Sequence, residues 1–131
     1  MQAKKTRYTV YNINYHLVWI PKYRRPILVG SVKNRLLEMF ETIAANNELE
    51  ILEAQVMPDY VHLFVSAPPR HSPAWIANAF KGPTARWLRH EFPQLEQQIR
   101  GKLWTRTYYV GTAGHVSAET IKRYIEEQTE V

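Results

Sequence analysis

An α+β fold built on an antiparallel sheet is predicted from three features of the sequence. Some runs alternate apolar and polar residues with period two, two long segments repeat apolar residues at helical spacing, and short turn signals join neighbouring runs. Val10 to Ile20 carries Tyr11, Ile13, Tyr15, Leu17 and Trp19 on one side and Asn12, Asn14, His16 and Val18 on the other, which predicts a first strand with a mixed polar face. Pro21 and Pro26 bracket a basic loop containing Lys22, Arg24 and Arg25. Ser31 offers a helix cap, and Val32, Leu36, Met39, Phe40 and Ile43 then recur as the apolar face of a first helix ending near Asn47. Leu49 to Met57 and Val61 to Ala67 read as two strands, and Pro58-Asp59 between them is a turn short enough for antiparallel pairing. Ser72 to Glu91 has helical spacing, with a bend or break expected at Gly82-Pro83. Leu103 to Val110 is rich in aromatic and β-branched residues and reads as a fourth strand. Gly111 and Gly114 form a joint before Ser117, the expected cap of a last helix. The order is β-α-β-β-α-β plus a C-terminal helix. It matches a ferredoxin-like sheet with helices packed on one face and the other face available to a ligand.

The chain has 131 residues, 45% of them hydrophobic, including four Trp and eight Tyr, which is enough apolar surface for one ordinary core over residues 1–131. It has no cysteine, so disulfides and thiolate metal sites are excluded, and a metal would have to be held by His, carboxylate, amide or water. No apolar run is long enough to span a bilayer, and a soluble, cytoplasmic protein without membrane contact is expected. The net charge of +5 is unevenly spread. Residues 1–37 hold eight Lys or Arg and no acid, whereas Glu38 to Asp59 holds six acids and no base. That polarity would turn a polyanion, nucleic acid above all, toward one region. Mild basicity without any such partner is the plain alternative.

Two places could carry chemistry. Alternation in the third strand assigns Val61, Leu63 and Val65 to the core and Tyr60, His62, Phe64 and Ser66 to the other face. His62 is thereby displayed on the non-core face of a central strand, where an imidazole can serve as a metal ligand or as a structural residue. Tyr124 and Gln128, four residues apart, share one face of the last helix. Ile121, Tyr124, Ile125 and Gln128 also form an ordinary amphipathic stripe, so packing accounts for that spacing equally well.

Several motifs go further than spacing does. Val56-Met57-Pro58-Asp59-Tyr60-Val61-His62-Leu63-Phe64-Val65 resembles the strand motif of the single-tyrosine HUH transposases of the insertion sequence 200/605 type, and Tyr124-Ile125-Glu126-Glu127-Gln128 resembles their tyrosine helix. Asn14 to Trp19 with Lys22-Tyr23-Arg24-Arg25, Phe80-Lys81-Gly82 with Ala85-Arg86, and Gly101-Lys102-Leu103-Trp104 resemble further parts of the family in the same order, so the resemblance spans nearly the whole chain. It implies an enzyme that binds hairpins in single-stranded DNA at element ends and cuts and rejoins strands through a 5′-phosphotyrosine formed by Tyr124. It also implies a divalent cation, Mg²⁺ or Mn²⁺, held by two strand histidines and by Gln128, and a homodimer whose active sites are shared between subunits.

One position departs from the family pattern: Tyr60 stands where the first motif histidine belongs, leaving His62 and Gln128. A neutral phenol, with an ordinary pKa near ~10, is a poor substitute for imidazole. Asp59 has the wrong strand parity, and Glu127 is the nearest acid to Gln128. The alternative function is therefore a non-catalytic hairpin-binding relative with a degraded metal site. A generic sheet-based RNA-binding module lacks its signature aromatic motif here. Lys22, Arg24, Arg25, Lys81 and Arg86 are the expected DNA contacts, with Arg89 and Arg106 as further candidates. Trp104 and Tyr108 are read as core residues before base-stacking ones.

Overall fold

The computed structural model describes residues 3–112 and 118–127. Strands β3 (Asn14–Trp19), β4 (Glu50–Met57), β5 (Tyr60–Ser66) and β6 (Tyr109–Gly111) form an antiparallel sheet in the order β4-β5-β3-β6. This is the ferredoxin-like arrangement that the element order predicts. Helices α1 (Gly30–Asn46) and α2 (Pro73–Glu91) cover one face, α3 (Leu95–Gln98) is a single turn, and α4 (Ala118–Glu127) lies against the opposite face. β1 (Lys4–Lys5) and β2 (Val10–Tyr11) make a separate two-stranded ribbon.

The core follows from strand parity. Leu17 and Trp19 of β3 and Val61, Leu63 and Val65 of β5 meet Leu36 and Phe40 of α1 and Ile76 and Phe80 of α2, all buried. Phe40 sits edge-on to both Trp19, at 5.8 Å between ring centres, and Phe80, at 5.6 Å. Each large apolar side chain removed from water in this way contributes about 1.5–3 kcal/mol.

Three local expectations are corrected, and the expected bend or break at Gly82-Pro83 is narrowed, since α2 has no break there. The first strand is not continuous from Val10 to Ile20. Residues 12–13 lie between β2 and β3, so β2 pairs with β1 and only Asn14–Trp19 joins the main sheet. Ser31 does not cap α1, which starts one residue earlier at Gly30 with Val29 in the capping position and no side-chain cap bond. Helix α2 runs unbroken through Gly82-Pro83, beginning at a genuine cap in which Ser72 Oγ accepts the Trp75 N–H at 3.1 Å. Ile76, Phe80 and Leu88 are buried on both sides of Pro83, and that packing outweighs the cost of a proline in a helix, about 3 kcal/mol. Thr84 Oγ1 also donates to the Phe80 carbonyl at 2.6 Å while accepting the Trp104 indole N–H at 3.1 Å.

The fourth strand is much shorter than Leu103 to Val110, and Lys81 supplies the reason. Its ammonium, pointing inward from α2, donates to the carbonyls of Thr105 at 2.7 Å, Arg106 at 3.3 Å and Thr107 at 3.1 Å. Three consecutive carbonyls are thus turned toward a side chain and away from a strand ladder. Before β6 the segment touches the sheet region through the Thr105 N–H to the Ile20 carbonyl and a lone bridge between Pro21 and Trp104. The predicted joint at Gly114 and cap at Ser117 lie outside the described residues.

Burial pushes the Lys81 ammonium down to about 8 from an ordinary 10.5. Between those values the unfolded chain holds a proton that the folded chain has released, so stability rises with pH across that window. Lys81→Met leaves three carbonyls without their donor and is expected to cost ~2 kcal/mol or more. Urea unfolding of both proteins near about pH 7 and about pH 10 checks this: the variant should be weaker at both, and the gap should widen at the higher pH.

Candidate active site

On the face of the sheet that α1 and α2 leave open, strand register brings two histidines together. In the β3–β5 pairing Val18 lies opposite His62 and His16 opposite Phe64, so His16 and His62 project from the same face as diagonal neighbours. His16 Nδ1 and His62 Nε2 are 2.9 Å apart, and both residues are buried. The His16 ring also stacks on Phe64, with ring centres at 4.0 Å and planes 9° apart, which fixes its orientation. Burial, and then the neighbouring His16, hold the His62 imidazole below its ordinary pKa, with Glu53 opposing, and this favours the neutral form that can act as a metal ligand. Sequence reading missed His16. It was correctly assigned to the polar face of its strand, but only the register of two strands 46 residues apart shows that it meets His62.

Helix α4 docks on this same face. Ile121 and Ile125 are buried against Val18 and Ile20, with Tyr60, Tyr109 and Tyr124 packed around them. The amphipathic stripe read from the sequence is therefore a packing face, and it carries Tyr124 with it. The Tyr124 hydroxyl donates to Thr107 Oγ1 at 3.4 Å, and its ring lies 6.3 Å from that of Tyr109. Burial raises the Tyr124 phenol above its ordinary 10, only partly offset by the bond to Thr107. Gln128, the expected amide ligand, lies outside the described residues.

Tyr60 projects from the His62 face of β5 and lines a pocket of about 300 Å³ with Arg24, Gln55, Asp59, Ile121 and Lys122. Burial, and then the Asp59 charge, raise its phenol, so it stays neutral and is unsuited to hold a divalent cation. Asp59 is engaged elsewhere, accepting from Arg24 Nε at 2.7 Å. Glu127 is exposed, and among the described residues no three His, Asp or Glu side chains converge. A divalent cation therefore finds a fitting donor at His62 and none at Tyr60.

Residues 9–128 match the family described as Transposase IS200 like. The chain belongs to the IS200-like transposase family. It is 40% identical over 129 residues to the ISDra2 transposase TnpA of Deinococcus radiodurans, covering 98% of this chain and 92% of that protein. It is 31% identical over 128 residues to the transposase of insertion sequence element IS200 from Salmonella typhimurium, covering 97% and 84%. A crystal structure of a transposase from Deinococcus radiodurans R1 superposes with a TM-score of 0.87 at 40% identity, over 95% of this chain and 97% of that one. A REP-associated tyrosine transposase bound to a REP hairpin shares the fold, with a TM-score of 0.57 at 12% identity over 95% and 69% of the chains. Transposition of an insertion sequence by DNA strand transfer is what membership implies. No described helix is long and apolar enough to cross a membrane.

The transposase's basic residues divide into engaged and available ones. Arg24 is paired with Asp59, and Lys81 is turned inward as the brace described above. Arg25 is exposed, and Lys22 lies over the Tyr23 ring at 5.7 Å. Tyr23 and Arg24 both adopt left-handed backbone angles, φ 59° and 53°, so this loop is held in a sharply defined shape. Arg86 is exposed and lines a second pocket, of about 430 Å³, with Arg89, Lys102 and Arg106. Arg89 also donates to the carbonyls of Ile99 and Gly101 and pairs with Glu96, so it anchors that pocket's wall. Trp104 is a core residue, edge-on to Trp19, and Tyr108 packs against the same core.

The partly buried Tyr124 phenol gives a spectroscopic prediction. In an alkaline ultraviolet titration, the phenolate absorbance lost in Tyr124→Phe should be one that appears above the ordinary value of 10. Loss of a component titrating below that value would mean that Tyr124 is activated in the resting protein.

Proposed function

We propose that this transposase acts on single-stranded DNA bearing hairpins, and that Tyr124 attacks the scissile phosphate. One observation carries the reading: α4 packs Tyr124 onto the sheet face from which His62 projects, and a pocket bordered by Arg24 and Lys122 adjoins that helix. Attack forms a bond between Tyr124 Oη and phosphorus and breaks the bond to the 3′ oxygen, leaving a 3′-hydroxyl and a 5′-phosphotyrosine. A 3′-hydroxyl can reverse the exchange, so strands are rejoined without an external energy source. The phenol proton passes to water during attack and the departing 3′ oxygen takes one up, so no net proton is consumed, and Thr107 Oγ1 orients the hydroxyl beforehand. A divalent cation, Mg²⁺ or Mn²⁺, held by His62 and Gln128, would stabilise charge on the phosphoryl oxygens as a Lewis acid. Lys22, Arg25 and Arg86 would meet the phosphates of the hairpin stem, and Arg24 would shape the loop that presents the first two.

Hairpin recognition is supported by the structural relative that binds a REP hairpin. At fixed salt, hairpin-bearing single strands are expected to bind more tightly than duplex of the same sequence. With Mn²⁺ present, the wild type should form a covalent adduct. Tyr124→Phe should lose it while hairpin affinity stays within about threefold, since one hydroxyl is removed from a packed ring. Equal affinity for hairpin and duplex would sink the substrate assignment. Tyr60 favours the second reading, a hairpin-binding protein without chemistry, and a wild type that binds hairpins but never forms the adduct would establish it.

The working unit is proposed to be a homodimer with shared sites, in which Tyr124 and Gln128 of one subunit serve His62 of the other. Within one chain α4 packs against its own Val18 and Ile20, so sharing requires α4 to leave that surface. Mixing Tyr124→Phe with His62→Ala chains tests it. Cleavage should reappear, with the adduct confined to the His62→Ala chain. A mixture that stays inactive after subunit exchange is confirmed by mass would place each site within one chain.

A further inference from the structure

We propose that His16 supplies the imidazole that Tyr60 does not, so that the cation site spans strands β3 and β5 instead of running along β5. This rests on the reading of the open sheet face as a cation-dependent strand-transfer site. The geometry supports it in three ways. First, His16 and His62 leave the same face of two adjacent strands whose register is fixed over six residue pairs, from Asn14 opposite Ser66 to Trp19 opposite Val61. Their meeting is a property of the sheet and not of a loop. Second, His16 Nδ1 and His62 Nε2 lie 2.9 Å apart. Two neighbouring ligand nitrogens on a six-coordinate ion, each at about 2.1 Å and at right angles, would be separated by about 3.0 Å. An ion bound by both nitrogens would lie beside the line between them and replace their shared proton, with each lone pair turned about 45° off that line. Third, the His16 ring is held by its stack on Phe64 and both imidazoles are buried, so the pair is already ordered before any ion arrives.

Tyr60 is then free for another task. It lies opposite Met57 at the end of the β4–β5 hairpin and borders the pocket beside Arg24 and Lys122. Its phenol faces a space that an anion or base could enter. A two-imidazole donor set also selects among ions: it suits transition-metal ions better than Mg²⁺, which prefers oxygen ligands. Water and substrate phosphate oxygens would complete the coordination.

The test uses the full chain and Mn²⁺ as the probe. Calorimetry is run on the wild type, His16→Gln, His62→Gln and Tyr60→Phe, with thermal melting to confirm that each is folded. His16→Gln and His62→Gln should each weaken Mn²⁺ binding about tenfold or more, whereas Tyr60→Phe should change it less than about twofold. Pulsed electron paramagnetic resonance of bound Mn²⁺ should detect two imidazole nitrogens in the wild type and one in His16→Gln. That spectrum also protects the test against a variant that fails to fold, because a single nitrogen in the wild type overturns the proposal by itself. It is likewise overturned if His16→Gln binds Mn²⁺ as the wild type does, if Tyr60→Phe abolishes binding, or if the wild type takes up no Mn²⁺. Adduct formation on hairpin DNA is scored separately. An adduct with unchanged Mn²⁺ affinity in His16→Gln removes only His16 from the site. Two-nitrogen binding with no adduct under any ion removes the strand-transfer reading and leaves the ion site standing.

Discussion

The antiparallel pairing of β3 with β5 is the constraint on which the rest of the molecule depends. Its six residue pairs sort alternate side chains onto opposite faces. Leu17, Trp19, Val61, Leu63 and Val65 go under α1 and α2, and His16, Val18, His62 and Phe64 go to the face where α4 docks. A slip of one residue would exchange the two sets, placing imidazoles against Phe40 and Phe80 and leucines in the candidate site. Hydrophobic burial on one face therefore fixes the relative position of two polar rings on the other. The packing that sets the spacing of the two imidazoles thus lies on the opposite side of the sheet, while Ile121 and Ile125 seat Tyr124 on their own side.

Around that sheet, two cations work as structural connectors. Arg24 ties the basic loop to Asp59 in the β4–β5 turn, and Lys81 ties α2 to the segment entering β6. The second connection reaches the candidate nucleophile, because the same segment contains Thr107, the partner of the Tyr124 hydroxyl. Positive charge in this chain has two uses, and counting basic residues does not separate them. Only where each guanidinium or ammonium points decides whether it serves the fold or remains for a phosphate.

Much of the fold was legible in the sequence, because β4, β5 and α1 carry strong period-two or helical patterns with turn residues between them. The order of elements was sufficient to name the ferredoxin-like sheet. What escaped was set by non-local contacts. The split between β2 and β3 depends on β1 as a partner, and the shortness of β6 depends on a lysine more than 20 residues earlier that binds its approach. The site was legible in the same proportion. The shared face of His62 and Tyr60 was legible from strand parity, whereas the meeting of His16 with His62 follows only from register.

The left-handed backbone at Tyr23 and Arg24 has a consequence for the kinetics of ligand capture. Two successive non-glycine residues in that region are unfavourable by of order 1–3 kcal/mol each, and here the strain is met at folding by the Arg24 bond to Asp59 and the Lys22 N–H bond to the Leu103 carbonyl. The loop that carries Lys22 and Arg25 consequently has little backbone entropy left to surrender when an anion arrives. Association at this loop should therefore be limited by encounter and desolvation, with ionic strength as its main control, and not by a search through loop conformations.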